Sequence, residues 1–260
     1  MWLTMAALPL AGACAPALRT LPSGAGTPAP DGARLFDEAT RTCRDVRVLT
    51  ADVAVSGHVG AGKVRGHLLA GVAAPDSLRL EGAAPFGPPV FVLVAEHGRG
   101  TLLLPRASRV LRDAQPAAIV DALAGVTLSP SGLLAILSGC GAPEAPVTGV
   151  QAYGGDWVRA DQQGGAAVYV HREQNGWRIV SALLPQPDDK TLRVDYTDFS
   201  EGRPDAIRLI APSSDLRLQL SQVDINTTLP ARAFTIDVPA AAEPITLDEL
   251  RQSGLLGGAR

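Results

Sequence analysis

Leu216-Arg217-Leu218-Gln219-Leu220 reads apolar, polar, apolar, polar, apolar, the period of a strand with one buried and one wetted face. The same period recurs in Leu78-Arg79-Leu80-Glu81, Leu192-Arg193-Val194-Asp195, Ile207-Arg208-Leu209 and Phe234-Thr235-Ile236-Asp237. It begins at Arg47, with Val53 and Val55 as inward positions. Gly60-Ala61-Gly62, Glu96-His97-Gly98, Gly154-Gly155, Gln163-Gly164-Gly165 and Asn175-Gly176 separate the runs at hairpin spacing. The pattern predicts a mainly β protein of about 11 to 13 strands, meandering and antiparallel in a single curved sheet. A register slip of one residue would put Arg79 and Arg217 inside, so Val53, Val55, Leu78, Leu80, Val92, Val194 and Leu218 are assigned to the concave face.

Helical periods interrupt this text in three places. Asp31 opens a stretch with Leu35, Phe36, Ala39 and Cys43 on one face. Pro116-Ala-Ala-Ile-Val-Asp-Ala-Leu-Ala ends at Gly125, and Ser129-Pro130-Ser131-Gly132 starts a run that ends at Gly139, the proline-first, glycine-last order of short helices. Both are strongly apolar, and Leu123, Leu134 and Leu137 on them are assigned to the same cavity. A long single-layer sheet with only a few short helices to cover it implies an incomplete, half β-barrel with helices across its mouth. No boundary divides 31–238, and 239–260 reads as a C-terminal tail.

The amino terminus bears on destination. Apolar residues Trp2–Leu10 lead into Ala11-Gly12-Ala13-Cys14, the order required of a signal peptide (1–13) cleaved before a lipidated cysteine. Ala11-x-Ala13 also satisfies ordinary secretory cleavage, and no Lys or Arg precedes Arg19. The run is too short to span a bilayer, which takes about 20 apolar residues. Residues 14–30, with Cys14 carrying acyl chains such as palmitate, read as a disordered tether; 16 residues of it would reach roughly 50 Å as polyproline II.

Cleavage would leave about 247 residues, enough for one large β domain. The net charge of −3 lacks a basic block, which argues against nucleic acid. If Cys14 takes lipid, Cys43 and Cys140 remain as a pair in an oxidising compartment. Either they are bridged, closing a loop that contributes roughly 4–5 kcal/mol in the chain-entropy model, or they are separate buried thiols.

Signals for chemistry are weak. Gly57-His-Val-Gly-Ala-Gly62-Lys63 has phosphate-loop spacing, but Val64 follows where Ser or Thr would ligate magnesium, and the continuation alternates like a strand. His58, His67, His97 and His171 lack zinc-site spacing, and no Gly-x-Ser-x-Gly occurs. The reading is therefore non-enzymatic, with no cofactor and no metal.

Leu78-Arg-Leu-Glu-Gly with Pro85-Phe86-Gly87, then LSPSGLLAILSGCG at 128–141 and LRVDYTDFSEGRPDAIRLI at 192–210, carry a resemblance to the LolA/LolB lipoprotein-localisation family over roughly 31–238. The resemblance implies a half-barrel whose greasy concave face accepts lipoprotein acyl chains. It implies an outer-membrane receptor facing the periplasm, a periplasmic LolA-like carrier as partner and a monomeric state. In that family a Pro-Leu-Gly loop exposes a Leu that drives cargo into the membrane, and Phe86 occupies the matching slot; otherwise Phe86 is a core residue at a strand end. Ala15 after the cysteine agrees with outer-membrane sorting. Carriage of another lipid or glycolipid, or a structural envelope role with the barrel filled by its own helices, uses the same features.

Overall fold

Thirteen strands of six or more residues form the body of one large curved sheet that is not closed into a barrel. The computed structural model describes residues 19–255 apart from 175 and 231, so the signal segment 1–13 and Cys14 lie outside the described residues. After β1 (Thr27–Pro28) and α1 (Gly32–Arg44), the chain makes a first meander of β2 (Val48–Val59), β3 (Gly62–Ala73), β4 (Ser77–Ala83), β5 (Phe91–Glu96), β6 (Arg99–Leu104) and β7 (Arg109–Ala114). Two helices follow, α2 (Pro116–Ala124) and α3 (Pro130–Ser138).

The second meander is β8 (Val147–Tyr153), β9 (Trp157–Gln162), β10 (Ala167–Glu173), β11 (Gly176–Pro185) and β12 (Thr191–Tyr196). It continues, after a two-stranded ribbon of β13 (Phe199–Ser200) and β14 (Arg203–Pro204), into β15 (Ala206–Ala211) and β16 (Ser214–Ile225). Pairing of β16 with β2 joins the two meanders into one antiparallel sheet. Last come β17 (Glu243–Pro244) and α4 (Leu247–Ser253).

Period two fixes which face is dry. Along β2, Leu49, Ala51, Val53 and Val55 are buried, while the residues between them are more open. Val55 lies opposite Leu218, and Ser56 opposite Arg217, so the alternation of β16 continues across the joint. The inner face of the sheet is covered by α1, α2 and α3, and together they make one hydrophobic cluster. Arg79 and Arg217 point outward, as the register argument requires: Arg79 is paired with Glu81 at 3.2 Å, and Arg217 is exposed. At Gly57 (φ 137°) a Cβ would collide with the carbonyl of Asp215 on β16. The first glycine of the phosphate-loop-like spacing thus permits close approach of β2 to β16 at the joint between the two meanders.

The helix signals act where they stand. Ser129 caps α3 by accepting from the Gly132 amide at 3.1 Å, and Gly125 and Gly139 close α2 and α3 in the left-handed conformation. The buried Tyr196 of β12 holds the end of α3: its hydroxyl donates to the Ile136 carbonyl at 2.9 Å and accepts from the Gly141 amide at 3.1 Å. Burial pushes that phenol well above its ordinary range. Cys43 and Cys140 are bridged, with Cα atoms 5.5 Å apart, tying the last turn of α1 to the chain just after α3.

Both edges of the sheet are blunted by two-residue strands, β1 on β8 and β17 on β7, the latter parallel. Two sequence expectations change here. The segment 14–30 is not wholly a disordered tether: Thr27 and Pro28 pair with Ala152 and Gln151, Arg19 sits 2.8 Å from Glu173, and Arg193 donates to the Arg19 carbonyl at 2.7 Å. Burial opposes ionisation of Glu173, but the hydrogen bond with His171 and the Arg19 charge outweigh it and hold the carboxyl below its usual value.

The other change concerns the C-terminal part. Phe234–Asp237 alternates like a strand yet has no ladder partner among the described residues. It belongs to an extended strap on the outer face: Thr235 accepts from Arg79 of β4, and Glu243 donates its amide to Ser108 beside β7. Between these anchors the chain must cross β5 and β6. Beyond it, α4 packs against α2, with Ile245 and Leu250 buried, so the stretch beyond 238 extends the packed domain.

Candidate functional site

Helix α1 reaches the inner side of the sheet from one edge and α3 from the other half, and a cleft of about 620 Å³ lies between them. That volume suits a small-molecule or lipid site. Its apolar wall is Phe36, Val46, Leu134, Ala135, Ala142 and the Cys43–Cys140 bridge, with Val147 exposed at the mouth. Asp37, Arg44, Arg47 and Glu144 border the opening. Arg44 bonds Asp37 and Thr40 at 2.6 Å each, which fixes one side of that rim. Gln162 of β9 also lines the cleft, and its buried Oε1 has no hydrogen-bond partner among the described residues. Buried Thr40 and Ser138 also line it. A largely apolar wall with a charged rim can take a hydrocarbon chain inside and a polar head outside.

The assigned cavity residues fall into three groups. Val53, Val55, Leu78, Val194 and Leu218 are on the inner face and buried in the common cluster, with Leu80 packed against it. Leu123, Leu134 and Leu137 come from the covering helices and join the same cluster, and Leu134 alone of all these borders the cleft. Val92 is on the opposite face. It pairs with Glu81 and Leu103, whereas its neighbours Phe91 and Leu93 join the inner cluster. The run Phe91-Val-Leu-Val-Ala95 is buried on both sides, because Val92, Val94 and Leu103 face the side that the strap crosses, so its composition could not distinguish inward from outward positions.

Phe86 is 89% exposed at the tip of the β4–β5 loop. The loop is held from behind: Arg106 Nη2 donates to the Phe86 carbonyl at 2.8 Å, and its Nε donates to the Pro88 carbonyl at 3.2 Å. With Pro85, Pro88 and Pro89 in the same stretch, the ring has few ways to fold back. Burying it in hydrocarbon would contribute roughly 2–3 kcal/mol.

Sequence reasoning missed Phe36 and Val46 as cleft wall, Gln162, Tyr196 and Arg106. Phe36 was legible as an inward helix position but not as a lining residue, and the others act through partners distant in sequence. Among the described residues no helix is long and apolar enough to cross a membrane, and no group of three or more His, Cys, Asp or Glu could hold a metal.

No protein-family model matches the sequence, and no curated protein matches it. Solved structures do share the fold. A LolA superfamily protein from Nitrosomonas europaea superposes with a TM-score of 0.53 at 11% identity, covering 79% of this chain and 97% of the other. A DUF1329 family protein from Desulfovibrio piger gives 0.52 at 12% identity, with 79% and 98% covered. A domain assigned to outer membrane lipoprotein sorting, from Vibrio parahaemolyticus, gives 0.51 at 10% identity, with 79% and 96% covered. The chain therefore has the LolA/LolB fold.

Proposed function

We propose that the protein is a non-enzymatic receptor that accepts the acyl chains of lipoproteins and delivers them to the outer membrane, anchored there by lipid on Cys14 and facing the periplasm. The observation that carries this reading is the cleft between α1 and α3, with Phe36, Val46, Leu134, Ala135 and Ala142 in its wall and its charged groups exposed at the rim. Apolar contact without directional bonds suits a protein that must accept and release many chains, because each methylene contributes a similar increment, about 0.8 kcal/mol.

In this reading the sheet acts as a half-barrel, and α1 and α3 part to admit the chain from the cleft towards the aliphatic inner face. A periplasmic LolA-like carrier hands over the cargo to a monomer, and Phe86 enters the target bilayer. The fold shared with a lipoprotein-sorting domain supports the cargo class.

The test is uptake of a fluorescent acyl probe by the full chain and by Leu134→Glu, with unfolding followed in parallel. The proposal expects saturable uptake that Leu134→Glu reduces by at least tenfold while the strands stay folded. Equal uptake by the folded variant would remove the cleft from the mechanism. Absence of uptake by the unaltered chain would favour a structural envelope role.

A further inference from the structure

The phosphate-loop-like stretch that the hairpin explains has a second property, which is charge. Strand β4 stops at Ala83, opposite His67, so residues 62–66 of β3 run on past it. The Phe86 loop leaves the sheet at that same level. Across this projecting end the outward positions are Lys63 and Arg65 on β3, His58 and Ser56 on β2, Arg217 and Asp215 on β16 and Arg208 on β15. They border an outer cleft of about 780 Å³ that also meets His67 and Asp198.

Within the cleft the charges do not cancel. Four cations, Lys63, Arg65, Arg208 and Arg217, face two carboxylates, Asp198 and Asp215. Asp215 is taken up by Arg208, which grips both its oxygens at 2.8 and 2.7 Å. Lys63, Arg65 and Arg217 are exposed and form no ion pair among the described residues. This excess stands out in a chain whose net charge is −3 and whose lysines number two. The strand next to β3, β4, ends in the loop that carries the 89%-exposed Phe86. An apolar wedge beside unpaired cations complements an anionic bilayer, which offers hydrocarbon below and phosphate above.

We propose that Lys63, Arg65 and Arg217 bind the phosphate headgroups of an anionic membrane surface and orient the Phe86 loop towards it. The proposal rests on the membrane-delivery reading of Phe86 but not on acyl uptake by the inner cleft. Headgroup attraction acts over about a Debye length, roughly 10 Å at 0.1 M salt, so it steers the end of the sheet before the ring inserts.

The test uses the full chain bearing Cys14→Ser, which removes the acyl anchor, in flotation with vesicles of phosphatidylcholine alone or mixed equally with phosphatidylglycerol. Binding should be tighter to the mixed vesicles and should weaken with added salt. Charge reversal at Lys63, Arg65 and Arg217 together should lower affinity for mixed vesicles by at least tenfold, since each near-surface cation accounts for about a fivefold effect, and should leave neutral-vesicle binding unchanged. The milder set Lys63→Gln, Arg65→Gln and Arg217→Gln covers the case in which reversal disturbs folding. Phe86→Glu should weaken binding to both vesicle types.

Equal affinity of the parent for both vesicle types, or of the folded charge variants and the parent for mixed vesicles, would overturn the proposal and leave an acidic protein as the partner to seek. Acyl-probe uptake is read in the same variants. Its loss from the parent would undo the cargo reading alone.

Discussion

Arg106 holds Phe86 by its backbone, with the guanidinium donating to the carbonyl at 2.8 Å while the ring is left in solvent. The contact fixes the loop without touching the apolar group it presents. Replacing the ring should therefore affect membrane transfer far more than folding. Phe86→Glu is expected to change stability by less than about 0.5 kcal/mol, as for most exposed sites, and to reduce transfer of lipoprotein into liposomes. Arg106→Ala should give a smaller loss of transfer by loosening the loop. A lowered melting temperature with normal transfer would return Phe86 to a purely structural role.

Tyr196 supplies a second lever. Tyr196→Phe removes two buried hydrogen bonds. The Ile136 carbonyl keeps the Gly139 amide and the Gly141 amide keeps the Ala135 carbonyl, at 3.2 Å each, so the cost is that of lost hydrogen bonds, about 0.5–1.5 kcal/mol apiece. The raised phenol pKa also fixes the sign of an alkaline effect. Below the ordinary tyrosine value, about 10, both folded and unfolded chains hold the proton and stability is full. Above it the unfolded chain releases the proton while the folded one keeps it, so stability falls with rising pH. Urea unfolding between neutral pH and pH values above that point should show this decline, and Tyr196→Phe should flatten it.

The bridge between α1 and the end of α3 closes a loop with a sequence separation of 97 residues. Cys43→Ser with Cys140→Ser should lower stability by roughly 4–5 kcal/mol in the chain-entropy model, measured by urea unfolding. If the bridge also limits how far α1 and α3 part, hydrogen exchange in α1 should rise in the same variant. Unchanged exchange would confine the bridge to stability.

The strap on the outer face makes its own prediction. A chain ending at Asn226 loses the cover crossing Val92, Val94 and Leu103 and the packing of Ile245 and Leu250. Each fully buried aliphatic side chain contributes roughly 1.5–3 kcal/mol, so the truncated chain should melt several degrees lower and bind a hydrophobic dye. Intact melting without dye binding would mean that the strap is dispensable.

Much of this was legible from local chemistry. The strands of LRLQL and LRVD type declared their inward side because a charged or polar residue stood at every second position, and the caps of α2 and α3 were written in Pro116, Gly125, Ser129 and Gly139. Val92 was placed on the wrong face because Phe91–Ala95 carries no polar residue to mark the outside. Phe234–Asp237 alternates for the same reason as a strand does, with half-buried Phe234 and Ile236 facing the sheet and Thr235 and Asp237 facing water, yet it pairs with nothing. Thr27 and Pro28 looked like tether because a two-residue edge contact leaves no periodicity. Arg106 and Tyr196 act on carbonyls 20 and 60 residues away, and no local pattern marks such a contact.

Photo-crosslinking with an acyl chain carrying a diazirine, followed by peptide mass spectrometry, tests the cargo site most directly. Adducts should fall on the peptides bearing Phe36 and Val46 and on the segment holding Leu134 and Ala142, and an excess of unlabelled lipid should compete them away. Adducts confined to the outer face, or labelling that no competitor reduces, would contradict an acyl-binding cleft between α1 and α3.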